Sequence, residues 1–194
     1  IEYKVVNNLI KWDKICRLID DMCCDVICSN NIVLPDSTNF KKFCDRKLMH
    51  RLCGNAVLSF LEKNHISPKK LRITLLDING DYSELAERLV MYTNSLTVIT
   101  DAIDFYSAEA NRIVYEKGAP LFIARKHSFI KNSHIIVSPE KIVYPLKTNN
   151  SAVIFTGEIP AQQISGIVFD SYSFDIPEKY RSLCPDNIES IDLA

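Results

Sequence analysis

From residue 71 onward the chain alternates short, largely apolar runs with amphipathic stretches, and that alternation restricts it to very few folds. The apolar runs are residues 71–76, 96–99, 121–124, 135–137, 153–155 and 167–169, interrupted by Arg72, Thr74 and Thr97. Each is strand-sized and apolar on most of its positions, the pattern of a strand buried on two sides. Two helix-length stretches separate the first three runs. One carries Leu85, Ala86, Leu89, Val90 and Tyr92. The other carries Ile103, Tyr106, Ala110, Ile113 and Val114, and stops at Gly118, a natural helix end. Such a β-α-β-α-β unit followed by three more strands predicts an α/β fold with a doubly wound, mostly parallel sheet of about six strands. The connections after the third and fourth runs leave room only for very short helices, with a single turn expected over 128–132.

Residues 1–70 read differently. Residues 3–6 and 26–28 have the composition of short strands. Leu9, Ile10, Ile15, Cys16, Ile19, Met22 and Cys23 recur at helical spacing over 8–24. Leu48, Leu52, Cys53, Ala56, Val57, Phe60 and Leu61 do so over 41–63, ending before Ser67-Pro68. The expected organisation is a smaller, mainly helical N-terminal lobe over 1–70 and the sheet domain over 71–194. Charge divides at the same place, with a basic excess before residue 70 and an acidic excess after it, for a net charge of -1. That balance speaks against a strongly basic nucleic-acid binder, and no nucleic-acid partner is expected. Every apolar run falls far short of the roughly 18 residues of a membrane-spanning helix, so no membrane partner is expected either. The cysteines number seven, six of them within the first 53 residues, and no C-x-x-C pair occurs. An odd count without metal-ligand spacing predicts buried thiols in a reducing cytoplasm, neither a disulfide framework nor a metal site.

The stretch 71–101 carries the most information. Its run Leu71-Arg-Ile-Thr-Leu-Leu-Asp-Ile-Asn-Gly-Asp-Tyr-Ser-Glu-Leu-Ala-Glu-Arg-Leu, leading to Leu96-Thr-Val-Ile-Thr-Asp101, resembles the NAD(P)-binding domain of the shikimate-dehydrogenase and glutamyl-tRNA-reductase type. The resemblance covers about 100 residues and lies in the order and length of the elements. It implies a Rossmann-like fold, with NAD as the cofactor to test first. Asn31 and Pro35 also match the substrate-lobe motif N-V-T-x-P-x-K of shikimate dehydrogenases, although Val33 and Ser37 stand at its threonine and lysine places.

The glycine motif departs from the pattern. G-x-G-x-x-G laid on the first turn puts Asp77, Asn79 and Tyr82 where the glycines belong, and only Gly80 remains nearby. The whole chain has five glycines, against about fourteen at average usage. Those missing glycines are what lets backbone N–H groups approach a pyrophosphate. Asp81 and Glu84 have the spacing of a capping box at the helix start. With Asp77 they would surround the place of a phosphate, with a repulsion on the order of 1–4 kcal/mol per nearby charge. Asp77-Ile78-Asn79 also has the position of the D-x-D motif of haloacid-dehalogenase-like phosphatases, with asparagine at the acid/base place.

In open α/β sheets ligands sit beyond the carboxyl ends of the strands. The candidate binding residues are therefore Asp77, Asn79, Gly80, Asp81, Tyr82 and Ser83 after the first strand, and Thr100 and Asp101 after the second. Ser138 and Pro139 follow the fourth strand, and Thr156 ends the fifth. Asp101 is placed to accept ribose hydroxyls. Lys42, Arg46, Lys47, His50 and Arg51 form a basic stripe on the second helix, expected as a solvated face or as a contact for a phosphate-bearing or acidic partner. The function expected from these residues is binding of a nucleotide or adenosine-type ligand, without standard dinucleotide chemistry. The alternatives are a catalytically silent interaction or regulatory protein on the same fold, and an active NAD-dependent oxidoreductase. No catalytic residue and no oligomeric state follow from the sequence.

Overall fold

A computed structural model describes residues 11–21, 26–27, 41–42 and 45–172. The chain divides into two compact units, Ile1–Asp45 with Phe174–Ala194, and Arg46–Ser173. In the first unit α1 spans Trp12–Asp21, with Ile19 buried. Two short strands, β1 (Val26–Ile27) and β2 (Lys41–Lys42), pair in parallel. The helix expected to begin at 41 therefore begins later. Residues 41–42 have their backbone groups in a strand ladder, and α2 covers Arg46–Asn64. The strand expected over 3–6, the stretch 31–37, and Cys23, Cys24, Cys28, Cys44 and Cys184 lie outside the described residues.

The second unit is built on a six-stranded, all-parallel sheet of β3 (Ile73–Leu76), β4 (Leu96–Ile99), β5 (Leu121–Ala124), β6 (Ile135–Ser138), β7 (Val153–Thr156) and β8 (Ile167–Phe169). Their spatial order is β5-β4-β3-β6-β7-β8. Counted from β3 this is 3-2-1-4-5-6, the order of the Rossmann-like doubly wound sheet, whose direction of winding reverses between β3 and β6. Each expected strand is present within a residue or two. The parallel register runs Ile73↔Leu96 on one side of β3 and Ile73↔Ile135 on the other.

Alternation along the strands feeds two cores. Ile73, Leu75, Leu96, Val98, Ile135 and Val137 point to one face and pack with α2, α3 (Ser83–Leu89) and α4 (Ile103–Lys117) through Val57, Leu61, Ala86, Leu89, Tyr106 and Ile113. Leu76, Ile99, Ile136 and Ile154 point to the other, where among the described residues the 3-10 turn over His127–Asn132 is the helical segment that contributes. Ile130 from that turn, and Ile142, Leu146 and Ile164 from loops, cover this face instead. Thr74, the polar residue inside β3, is buried and satisfied by the Ser133 hydroxyl at 2.6 Å. α2, assigned to the N-terminal lobe from sequence, packs against β6 and β7 as part of the sheet unit. In its middle Cys53 is fully buried, and burial pushes the thiol up to about 12, so it behaves as a small hydrophobe. Among the described residues no helix is long and apolar enough to cross a membrane.

An ion-pair cluster ties α3 to α4. Arg112 reaches Glu87 and Glu109 at 2.8 Å and Glu116 at 2.9 Å, and Lys117 approaches Glu87 at 3.5 Å. The hydrogen bond from Arg112 holds the Glu87 carboxyl below its ordinary range. A depressed folded-state value gives stability that is present above the ordinary carboxyl value and is lost as pH falls from there through the lower folded-state value. The melting temperature is thus expected to drop as the pH is lowered from the ordinary value of 4.5, and to drop less in Glu87→Gln. Equal slopes in the two proteins would show that the cluster does not contribute.

Candidate functional site

The site begins where β3 ends. Asp77 is 1% exposed, its backbone N–H held by the Ile99 carbonyl at 3.0 Å. Its carboxylate turns back under the following loop. Oδ1 accepts the N–H groups of Gly80 and Asp81, both at 2.9 Å, and Oδ2 accepts that of Tyr82 at 2.8 Å. The buried Tyr106 hydroxyl from α4 donates to the same Oδ2. Gly80 makes this wrap possible with φ 87°, a conformation costly for any residue with a Cβ. A Cβ there would also press on Ala102 at 3.1 Å and Phe105 at 3.2 Å.

These backbone N–H groups belong to the turn that, in a dinucleotide-binding sheet, faces the pyrophosphate. Here one buried carboxylate of the protein takes all three. The capping box expected from Asp81 and Glu84 is not formed. α3 starts at Ser83, Tyr82 holds the N-cap position, and no side chain caps it. The helix begins one residue later than the box requires, and the Asp81 N–H, which the Glu84 carboxylate would accept in that box, is already held by Asp77.

The other strand ends are equally self-contained. Thr100 is buried, donating its hydroxyl to the Ile78 carbonyl at 3.2 Å and accepting the Ala102 N–H at 3.0 Å. The Asp101 backbone N–H also bonds Ile78 O, at 3.0 Å, while the residue itself is exposed. The Ser138 and Thr156 hydroxyls make matching bonds two residues ahead, to Glu140 O at 2.8 Å and Glu158 O at 2.7 Å. Pro139 is buried between them in the sheet order, and its carbonyl lies against Gly157. Asn79 is exposed, with its amide 3.4 Å from the Glu140 carboxylate.

An open cleft of about 850 Å³ lies between α2 and α3, at the switch point of the sheet. Lys47, His50, Arg51 and Gly54 line it from one face of α2, at the i, i+3, i+4, i+7 spacing that stacks side chains along a helix. Asp81, Tyr82, Glu84, Leu85 and Arg88 line it from the turn and α3, and Glu140 closes the end near β6. Asp81 and Tyr82 are thus the sequence-predicted residues that reach the cleft. Asn79, Gly80, Thr100, Asp101, Ser138 and Thr156 do not line it.

Three residues that are distant in sequence meet at its edge. The Tyr82 hydroxyl lies 2.7 Å from His50 Nδ1, and His50 Nε2 lies 3.4 Å from Glu158 Oε1. Arg46 approaches the same oxygen at 3.9 Å. The ring of His50 meets that of Tyr82 edge-on. Burial, followed by the Glu140, Asp77 and Asp81 charges, raises the Tyr82 pKa well above the ordinary tyrosine value, so the phenol keeps its proton.

No protein-family model, curated protein or solved structure matches the chain.

The Tyr82 hydroxyl and the Glu158 carboxylate bracket the two nitrogens of the His50 ring and so orient its plane. Sequence reasoning missed His50 and Glu158 as a pair because 108 positions separate them. The signal that was present is the basic stripe: Lys47, His50 and Arg51 belong to it, and they face the cleft.

Proposed function

We propose that the sheet unit is a Rossmann-like ligand-binding domain for an adenosine-type ligand, without the pyrophosphate of a dinucleotide. The observation that carries this is Asp77. Its carboxylate engages the three N–H groups of the first turn and leaves them no capacity for a phosphate oxygen. An incoming diphosphate would have to displace a buried anion or share its site with one, and both are costly. For the same reason NAD and NADP do not fit this turn. Recognition of a neutral nucleoside asks less. Asp101, exposed one strand over at the end of β4, offers a carboxylate to ribose hydroxyls, and Asn79 offers an amide.

Thermal denaturation of the full chain tests this. Adenosine or S-adenosylmethionine at a hundred times its Kd is expected to add about 2.7 kcal/mol of stability by mass action. For a chain of this size that is a rise of roughly 5–10 °C. NAD and NADP are expected to give no rise, and Asp101→Ala is expected to lose the adenosine response. Flat melting curves with all four ligands at millimolar concentration would reject ligand binding at this turn and favour a catalytically silent interaction domain.

A further inference from the structure

The α2–α3 cleft has a charge arrangement that the nucleoside reading does not use. Lys47 and Arg51 stand on the α2 wall, Asp81 at the turn and Glu140 at the β6 end. Among the described residues none of these four has an opposite charge within 4.0 Å, although all line one cavity. The nearby charges do not cancel this pattern. His50 is turned to Tyr82 and Glu158, and Arg46 also faces Glu158. Glu84 and Arg88 sit one turn apart on α3 and add one charge of each sign. The α2 wall thus presents the cations Lys47 and Arg51, while the turn, α3 and the β6 end present Asp81, Glu84 and Glu140 with Arg88 among them.

The walls are fixed independently of any occupant. Gly54 brings α2 close to α3, since a Cβ at that position would be 3.4 Å from Leu85. The Tyr82–His50–Glu158 chain then ties α2 to the turn and to the end of β7. Lys47, Arg51 and Asp81 are exposed and Glu140 is half-buried, so water solvates these charges in the open cleft, and an occupant must offer both signs to replace that hydration. A simple anion satisfies one wall and is repelled by the other, and the same holds for a simple cation. A molecule carrying both charges satisfies both.

We propose that this cleft is a binding site for a small zwitterion of the amino-acid type, with its carboxylate on Lys47 and Arg51 and its ammonium on Asp81 and Glu140. Its side chain lies in the remainder of the 850 Å³ cavity. Tyr82 and His50 form the adjoining edge and report occupancy through their ring signals.

The test is NMR titration of the full chain with each of the twenty common amino acids, following His50 and Tyr82. Acetate and methylammonium serve as half-molecule controls. At least one amino acid is expected to shift both sets of signals, with a Kd about tenfold or more below that of either control. Each lost charged contact costs affinity of that order. Lys47→Ala/Arg51→Ala and Asp81→Asn/Glu140→Gln should each weaken binding about tenfold or more while the circular dichroism is unchanged. These positions are at the rim of the fold, so the variants keep its core. Three results would overturn the proposal: no amino acid moves the signals, the half-molecules bind as tightly, or both double variants bind as the parent does. The adenosine response and its loss in Asp101→Ala are read separately, so failure at one site is distinguishable from failure at the other.

Discussion

Asp77→Ala is expected to lower the stability of the sheet unit by about 4 kcal/mol, one of the largest effects of any single substitution in it. Three backbone N–H groups and the Tyr106 hydroxyl lose their acceptor together. Hydrogen bonds to a charged group contribute about 1.5–3 kcal/mol each, and a buried donor left unpaired costs about 1–3 kcal/mol. The contributions overlap, because the turn can relax and water can reach the more exposed N–H groups near Asp81, so the sum is well below four separate bonds. Asp77→Asn keeps one carbonyl oxygen but points an NH2 group at donors, and is expected to cost about 2 kcal/mol. Urea denaturation measures both as a lower midpoint at unchanged slope. A loss below about 1 kcal/mol for the alanine variant would falsify the view that this carboxylate holds the turn. Any gain in inorganic pyrophosphate affinity by the alanine variant, measured on the fraction still folded, would identify the vacated N–H groups as a latent anion site.

Gly157→Ala is expected to be nearly as damaging, at about 3 kcal/mol. The added Cβ would stand 2.1 Å from the Pro139 carbonyl oxygen and 3.0 Å from His50 Cδ2. The first contact is with backbone and cannot be relieved by turning a side chain. The Gly157 N–H extends the β6–β7 ladder by bonding Ser138 O at 3.0 Å, so any retreat also weakens that bond. Glu158 is the next residue, and its carboxylate partners His50. The substitution should therefore disturb the His50 and Tyr82 NMR signals as well as the melting temperature. A stable variant with both sets of signals unmoved would show that the β7 end does not determine the shape of the cleft.

The sheet was legible in the sequence because burial on two faces leaves few polar positions, such as Thr74 and Thr97, to obscure the pattern. The run 96–99 and the run 121–124 have the same limits in chain and structure. The helix end at Gly118 was equally plain. The unit over 71–124 and its three successors pointed to a doubly wound sheet, and the observed order is the one such a sheet has. Where propensity is local and competing partners are distant, the sequence was less informative. The spacing of Asp81 and Glu84 satisfies a capping rule, but nothing in it shows that Asp77 already holds the Asp81 N–H that Glu84 would accept. Thr100, Ser138 and Thr156 read as ligand contacts at strand ends, whereas their hydroxyls are engaged by their own loops.

The glycine scarcity shows both sides of this. From sequence it established that the first turn lacks the residues a pyrophosphate needs, since a missing glycine is a local steric fact. That Asp77 would fill the same space, and that Tyr82, His50 and Glu158 would meet beside it, depended on α2 packing back onto β6 and β7. Periodicity reports which face of an element is apolar, but contacts across 32 and 108 positions are set by how those faces dock. The sequence by itself determined the layered parallel sheet and a first turn with Gly80 as its one glycine. Only the tertiary structure decided which carboxylate took the turn and where the cleft opened.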